Sequence, residues 1–262
     1  MQNEMMRIRF SMKVLAVVAG MVHAGCAFAQ ASVSNDTLTV RIKGMRCEEC
    51  AHKVMTTLRK DVGVKDIHFN LERRTATIVY NAQQTSTDSI YAHLEATKRY
   101  KGTPYSPSEI IKRGYGQRID DMRCQQCADS ITSRLQQMPG IDSLAPHLDK
   151  HYLFIRYDAN RTSKAEIRAF INDLGFTPVN YYTSDKIGWG YYSIPAEQAT
   201  QETIDNVLAI DGVEDVNVNA RRGTMAVTFF SQEISDEKLL DEIRKSGIKA
   251  VVPPPRECRE EE

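Results

Sequence analysis

Net charge is the first thing this 262-residue chain lacks, with 34 Lys and Arg against 34 Asp and Glu. Without an excess of cations there is no basic field to hold nucleic acid, which is not expected as a partner. Long apolar runs are missing too. The run from Val14 to Val22 falls well short of the roughly 18 residues that cross a bilayer, and no other stretch comes close. No membrane span is therefore expected. No ATPase motif is visible, so the chain does not read as a pump or as an enzyme. Tryptophan occurs once, and not ahead of any cysteine pair.

Cysteine is also scarce, and its placement is informative. Arg7, Arg9 and Lys13 precede the Val14–Val22 run, and Ala27-Phe28-Ala29 follows as a small-x-small cleavage site. This is the pattern of an export signal over residues 1–29, with a mature chain from about Gln30 in the bacterial periplasm. Gly25-Cys26 leaves a lipid anchor on Cys26 as the second choice. An oxidising compartment invites structural disulfides, yet beyond the signal four of the five cysteines fall in two CxxC pairs, with Cys258 alone in the tail. A stapled fold wants bridges between distant segments. The pairs are sites, not staples.

The pairs belong to a repeat. Gly44-Met45-Arg46-Cys47-Glu48-Glu49-Cys50 returns 77 residues later as Asp121-Met122-Arg123-Cys124-Gln125-Gln126-Cys127. Leu38, Val40 and Ile42 alternate with polar residues as a half-buried strand, and Ala51, Val54, Met55 and Leu58 form a helical stripe beginning at the thiols. Strands follow at Val64–Phe69 and Ala76–Tyr80, a helix at Ile90 and Leu94, and a closing strand near Thr103–Tyr105. The order is β-α-β-β-α-β. Pro104, Pro107 and Lys112-Arg113-Gly114 read as a linker. The second unit then repeats the first: Val64 maps to Ile141, Ile78 to Ile155 and Ile90 to Ile167. Phe69 maps to Pro146, which suits an edge strand. After a further 72 residues Gly140 maps to Gly212, Ile155 to Val227 and Met122 to Ile194, while Cys124 and Cys127 become Ala196 and Ala199. A third unit keeps the apolar frame without the thiols.

Expected boundaries are 37–105 and 114–182 for units with CxxC, 186–252 for the unit without, and a charged tail at 253–262. The Met-x-Cys-x-x-Cys run between a strand and an amphipathic helix resembles the heavy-metal-associated (HMA) domain, whose motif is GMxCxxC. The first copy has it intact and the second has Asp121 in place of Gly. The resemblance implies three tandem α+β, ferredoxin-like domains with antiparallel four-stranded sheets, which bind soft metal and pass it to donor or acceptor proteins. The implied ion is Cu(I), with Hg(II), Zn(II) and Cd(II) in relatives, and the implied metal ligands are Cys47, Cys50, Cys124 and Cys127.

The residues support that chemistry independently. Thiolates are soft ligands that select Cu(I)-like ions over Mg, Ca or Mn, and two per unit fall short of the four of a structural zinc site. A cysteine in the first helical turn has its pKa lowered by the helix end. Met45 and Met122 are expected as core plugs beneath the loop rather than thioether ligands, and His52 as a solvated side chain. Phe176, and in unit 1 either Arg99 or, with a one-residue slip, Tyr100, sit where relatives shield the metal; as aromatics they could equally be core. Thiol–disulfide exchange, and an interaction module with vestigial CxxC pairs, remain the alternatives.

Overall fold

The structure is a computed structural model that describes residues 35–254. The expected export signal, Cys26 and Cys258 lie outside the described residues. Unit 1 runs β1 (Asn35–Lys43), α1 (Glu48–Leu58), β2 (Val64–Asn70), β3 (Thr75–Asn81), α2 (Thr87–Ala96) and β4 (Lys101–Pro104). Its antiparallel sheet has the order β2-β3-β1-β4. Alternation on the strands and the stripe on α1 send Val40, Ile42, Val54, Leu58, Ile78, Ile90 and Leu94 into one core between the sheet and the two helices. Burial of such side chains, about 1.5–3 kcal/mol each, is the main force holding the layers together.

Unit 2 repeats the plan as β5 (Lys112–Ile119), α3 (Gln125–Leu135), β6 (Ile141–His147), β7 (Tyr152–Asp158), α4 (Lys164–Asp173) and β8 (Pro178–Asn180), with the order β6-β7-β5-β8. Pro146 lies on β6, the edge strand, as expected, opposite Leu153 of β7, and an edge strand is where a missing ladder N–H is tolerated. The expected linker is shorter than the sequence suggested. Lys112, Arg113 and Gly114 pair with Asp158, Tyr157 and Arg156 inside the sheet, because the cross-strand register outweighs the glycine.

Unit 3 contains β9 (Ile187–Ser193), α5 (Gln201–Leu208), β10 (Val213–Asn219), β11 (Thr224–Phe230) and α6 (Asp236–Lys245). Here the expectation of a four-stranded sheet needs correcting. The sheet has three strands, β10-β11-β9, and the fourth is reduced to a bridge between Ser193 and Val251. Pro253 and Pro254 follow at once, and proline cannot donate to a ladder.

The helix carrying the thiols' equivalents also differs. α5 starts at Gln201 with Thr200 as its N-cap, and Ala196–Gln198 form a short 3-10 turn behind Pro195. At the expected offset the helix would begin at Glu197. Ile194 still plugs the core, 6% exposed. Among the described residues no helix is long and apolar enough to cross a membrane.

Candidate metal centre

Each CxxC occupies the same frame: β1 or β5 delivers the chain to a loop, and α1 or α3 begins inside the motif. Cys47 and Cys124 are the N-cap residues, extended at φ −146° and −139°, and neither side chain makes a capping hydrogen bond. The other helices instead use Ser86, Ser163, Thr200 and Ser235, whose oxygens accept from the first turn. An uncapped helix start leaves amide donors and the positive end of the helix dipole directed at the thiols. Beneath the loops, Met45 and Met122 are fully buried in their cores, which matches the expected plug.

All four cysteines are thiols rather than disulfides. Cys47 Sγ lies 2.9 Å from Cys50 Sγ, and Cys124 Sγ 3.0 Å from Cys127 Sγ, so the structure brings together the residues expected to act together. Among the described residues no third His, Cys, Asp or Glu completes a cluster at either pair. His52 is exposed, as expected. The donor set is two soft sulfurs, open on one side. It suits a thiophilic ion held by few ligands and does not suit a closed four-ligand zinc site.

The two pairs differ electrostatically. The contact with Cys47, then the backbone N–H groups of the loop, pull the Cys50 thiol down to about 7 against the opposing effect of burial. Arg99 adds a guanidinium 4.0 Å from its sulfur. Tyr100 is buried beside them, and burial first, then the neighbouring thiol, keeps its hydroxyl neutral. At the second pair burial dominates and pushes Cys127 up, with Cys124 adding to the rise.

The structure also settles the one-residue slip. Lys98 takes a left-handed φ of 56° after α2, where Gly175 has φ 92° after α4. Beyond that point the sheets differ by one residue, Ile42 facing Gly102 where Ile119 faces Pro178, so the slip is present and the buried Tyr100, not the exposed Arg99, stands at the place of Phe176 in its core.

The loops differ in backbone as well. Gly44 has φ 95°, and a Cβ there would meet the Arg99 carbonyl oxygen at 2.7 Å. Asp121 has no such positive φ and is buried, its carboxylate accepting from the Thr177 N–H and hydroxyl, both at 3.2 Å, and from the Tyr191 hydroxyl at 3.3 Å. Burial raises its pKa, opposed by those bonds. The sequence flagged Asp121 as a departure from the motif. Its contact with unit 3 had no sequence signal.

Residues 39–100 and 118–177 match the family model of the heavy-metal-associated domain. The chain is 22% identical over 139 residues to the copper-exporting P-type ATPase of Bacillus subtilis, covering 53% of this chain and 16% of that protein. It is 27% identical over 165 residues to human copper-transporting ATPase 2, covering 53% of this chain and 11% of that protein. The chain thus spans a small fraction of the length of these relatives. The solution structure of the N-terminal soluble domains of Bacillus subtilis CopA matches at 21% identity and a TM-score of 0.26, covering 59% of this chain and 99% of that one.

Proposed function

We propose that this chain, which carries two heavy-metal-associated domains at residues 39–100 and 118–177, binds soft metal ions through Cys47/Cys50 and Cys124/Cys127 and passes them to thiol-bearing proteins. Cu(I) is the favoured ion; Hg(II), Zn(II) and Cd(II) are the weaker candidates. The observation that carries the reading is the paired sulfurs at an uncapped helix start. Thiolates, helix amides and an open side together hold a singly charged soft ion without enclosing it. An incoming thiolate can then attack the ion before the outgoing pair releases it.

Thiol–disulfide exchange is the competing reading, since a depressed thiol beside a second cysteine also suits that chemistry. The surrounding sequence and fold weigh against it. No Trp precedes either pair, and the chain repeats βαββαβ units in place of a thioredoxin arrangement with its later proline beside the thiols. The export pattern in the sequence completes the proposal as a carrier or buffer in the bacterial periplasm, cut near Gln30. N-terminal sequencing of the protein recovered from its native compartment tests that part, and an intact Met1 would rule it out.

Anaerobic titration of the reduced chain with Cu(I) tests the metal reading. Uptake should stop at two ions per chain, one for each pair, and Cys47→Ser with Cys124→Ser should abolish it. Full uptake by that double variant would refute the assignment.

A further inference from the structure

The surroundings of the two thiol pairs diverge more than the pairs themselves. Around Cys47 the loop ends carry Lys43, Arg46, Lys98, Arg99 and Lys101, all exposed. Arg99 is the extra residue of the unit 1 loop, and at the places of the other four unit 2 has Asp120, Arg123, Gly175 and, by strand register, Thr177; all are buried except the half-buried Arg123. The rim that is open in unit 1 is covered in unit 2.

Unit 3 does the covering, and it does so with specific bonds. The β10–β11 turn lies on the loop that follows α4: Asn219 donates to the Phe176 and Asn172 carbonyls at 2.8 and 3.0 Å, and Arg221 donates to the Asp173 carbonyl at 2.7 Å. The Arg222 guanidinium sits over the Phe176 ring at 5.1 Å, and the Arg123 guanidinium over Tyr191 at 5.4 Å. Thr224 meets Thr177 at 2.6 Å, and Thr177 is itself bonded to Asp121. Farther out, Arg168 clasps Asp215 with two bonds of 2.8 and 3.1 Å. The outer face of β11 is buried as a result, so that Thr224, Ala226 and Thr228 are at most 3% exposed. At the first cysteine, where a partner's thiolate would approach, Cys47 is exposed and Cys124 only intermediate, while at the second Cys50 is buried and Cys127 intermediate.

We infer that metal exchange with a second protein takes place at the Cys47/Cys50 pair, because unit 3 occupies at the Cys124/Cys127 pair the face such a protein would need. The partner is a folded protein presenting its own thiolate, and the second pair retains its ion until unit 3 shifts. A small ligand can still reach both pairs. This inference rests on the dithiolate reading above, but it concerns access to the thiols and can be tested without metal.

The reduced, metal-free full chain is treated in parallel with iodoacetamide and with a polyethylene-glycol maleimide, and mass spectrometry follows the loss of each unmodified cysteine peptide. Dividing the small-reagent rate by the bulky-reagent rate at each cysteine cancels differences in intrinsic thiol reactivity. That ratio should be about tenfold larger at Cys124 than at Cys47, since the bulky reagent must wait for unit 3 to open. In Arg168→Ala/Arg222→Ala the ratio at Cys124 should fall to that of Cys47, with Cys47 unchanged. Asp215→Ala, which touches nothing near the thiols, should move it in the same direction and guards against a misfolded double variant.

Equal ratios at the two pairs in the intact chain would overturn the inference. So would an unchanged ratio at Cys124 in a folded Asp215→Ala chain. If the metal reading alone is wrong, Cu(I) uptake fails while the alkylation pattern stands.

Discussion

Gly44 and Asp121 occupy one position in the repeat and solve different problems. Gly44 accepts a φ of 95°, with the Arg99 carbonyl oxygen 2.7 Å from where a Cβ would stand. Gly44→Ala should therefore cost about 1 kcal/mol or more, seen as a lower Tm, and should weaken Cu(I) uptake at the first pair alone. Asp121 is a buried acid whose pKa is raised. A raised value means that the folded state favours the protonated form, so its contribution is present below the unfolded value of about 3.9 and is lost as pH rises through the folded value. At neutral pH the charge is a burden. Asp121→Asn should melt at the same temperature or higher at pH 7, whereas Asp121→Ala, which strands the Thr177 N–H, should cost about 1–3 kcal/mol. A clear loss of stability in the Asn variant would mean that the carboxylate charge is needed after all. The thiols give a second pH signature. Cys50 should alkylate with a midpoint near pH 7 and Cys127 with a midpoint above the ordinary thiol value; a shared midpoint would contradict the difference between the loops. The plug role of Met45 and Met122 was legible because Ile194 keeps the position after the thiols are gone. The role of Asp121 was not, because its partners Thr177 and Tyr191 are far along the chain.

At the scale of the element, the deciding feature is where a helix starts. α1 and α3 begin directly after the first cysteine of each pair, and α5 begins only at Gln201, behind Pro195 and a 3-10 turn. Repeat arithmetic placed Ala196 and Ala199 where the cysteines would be, and it was right about the apolar frame on either side. It could not show that the loop had been rebuilt, since alanine suits a helix and a turn alike, and Pro195 alone does not say on which side the helix resumes. Ala196→Cys/Ala199→Cys should accordingly fail to create a third site. Cu(I) uptake is expected to stay at two ions per chain, and a clean rise to three would show that sequence spacing alone makes the site. The same limit explains β5. Glycine and basic residues resemble a linker locally, but pairing of Lys112–Arg118 with Tyr152–Asp158 decides the matter, and pairing is a non-local property.

For the whole molecule, three separate cores of similar design are joined by polar and aromatic contacts, among them the stack of Tyr152, Tyr181 and Trp189 between units 2 and 3. Unit 1 meets unit 2 through the β2–β3 turn, where the Glu72 carboxylate accepts from the Tyr157 hydroxyl and from the Lys164 N–H at the start of α4. Unit 2 meets unit 3 through Arg168–Asp215 and the asparagines of β10. The repeats were readable because core positions recur at fixed offsets. These contacts were not, because single polar residues in three different elements carry no periodicity. Arg168→Ala should lower the stability of the unit 2–unit 3 junction by about 1 kcal/mol, toward the upper end for an ion pair near the surface because the contact is bidentate. Hydrogen exchange should show the loss in β8, β10 and β11, and not in unit 1.

The proposal of two independent dithiolate sites on one chain is the point from which the rest follows. X-ray absorption at the copper edge, on full chain loaded anaerobically with two equivalents of Cu(I) and no added thiol, examines them directly. Both ions should show sulfur neighbours only, with an unchanged spectrum in Met45→Leu and a halved copper content when either cysteine pair is replaced by serine. Nitrogen or oxygen neighbours, or a sulfur lost in Met45→Leu, would show that the ion sits elsewhere or that the buried methionine leaves its core to hold it.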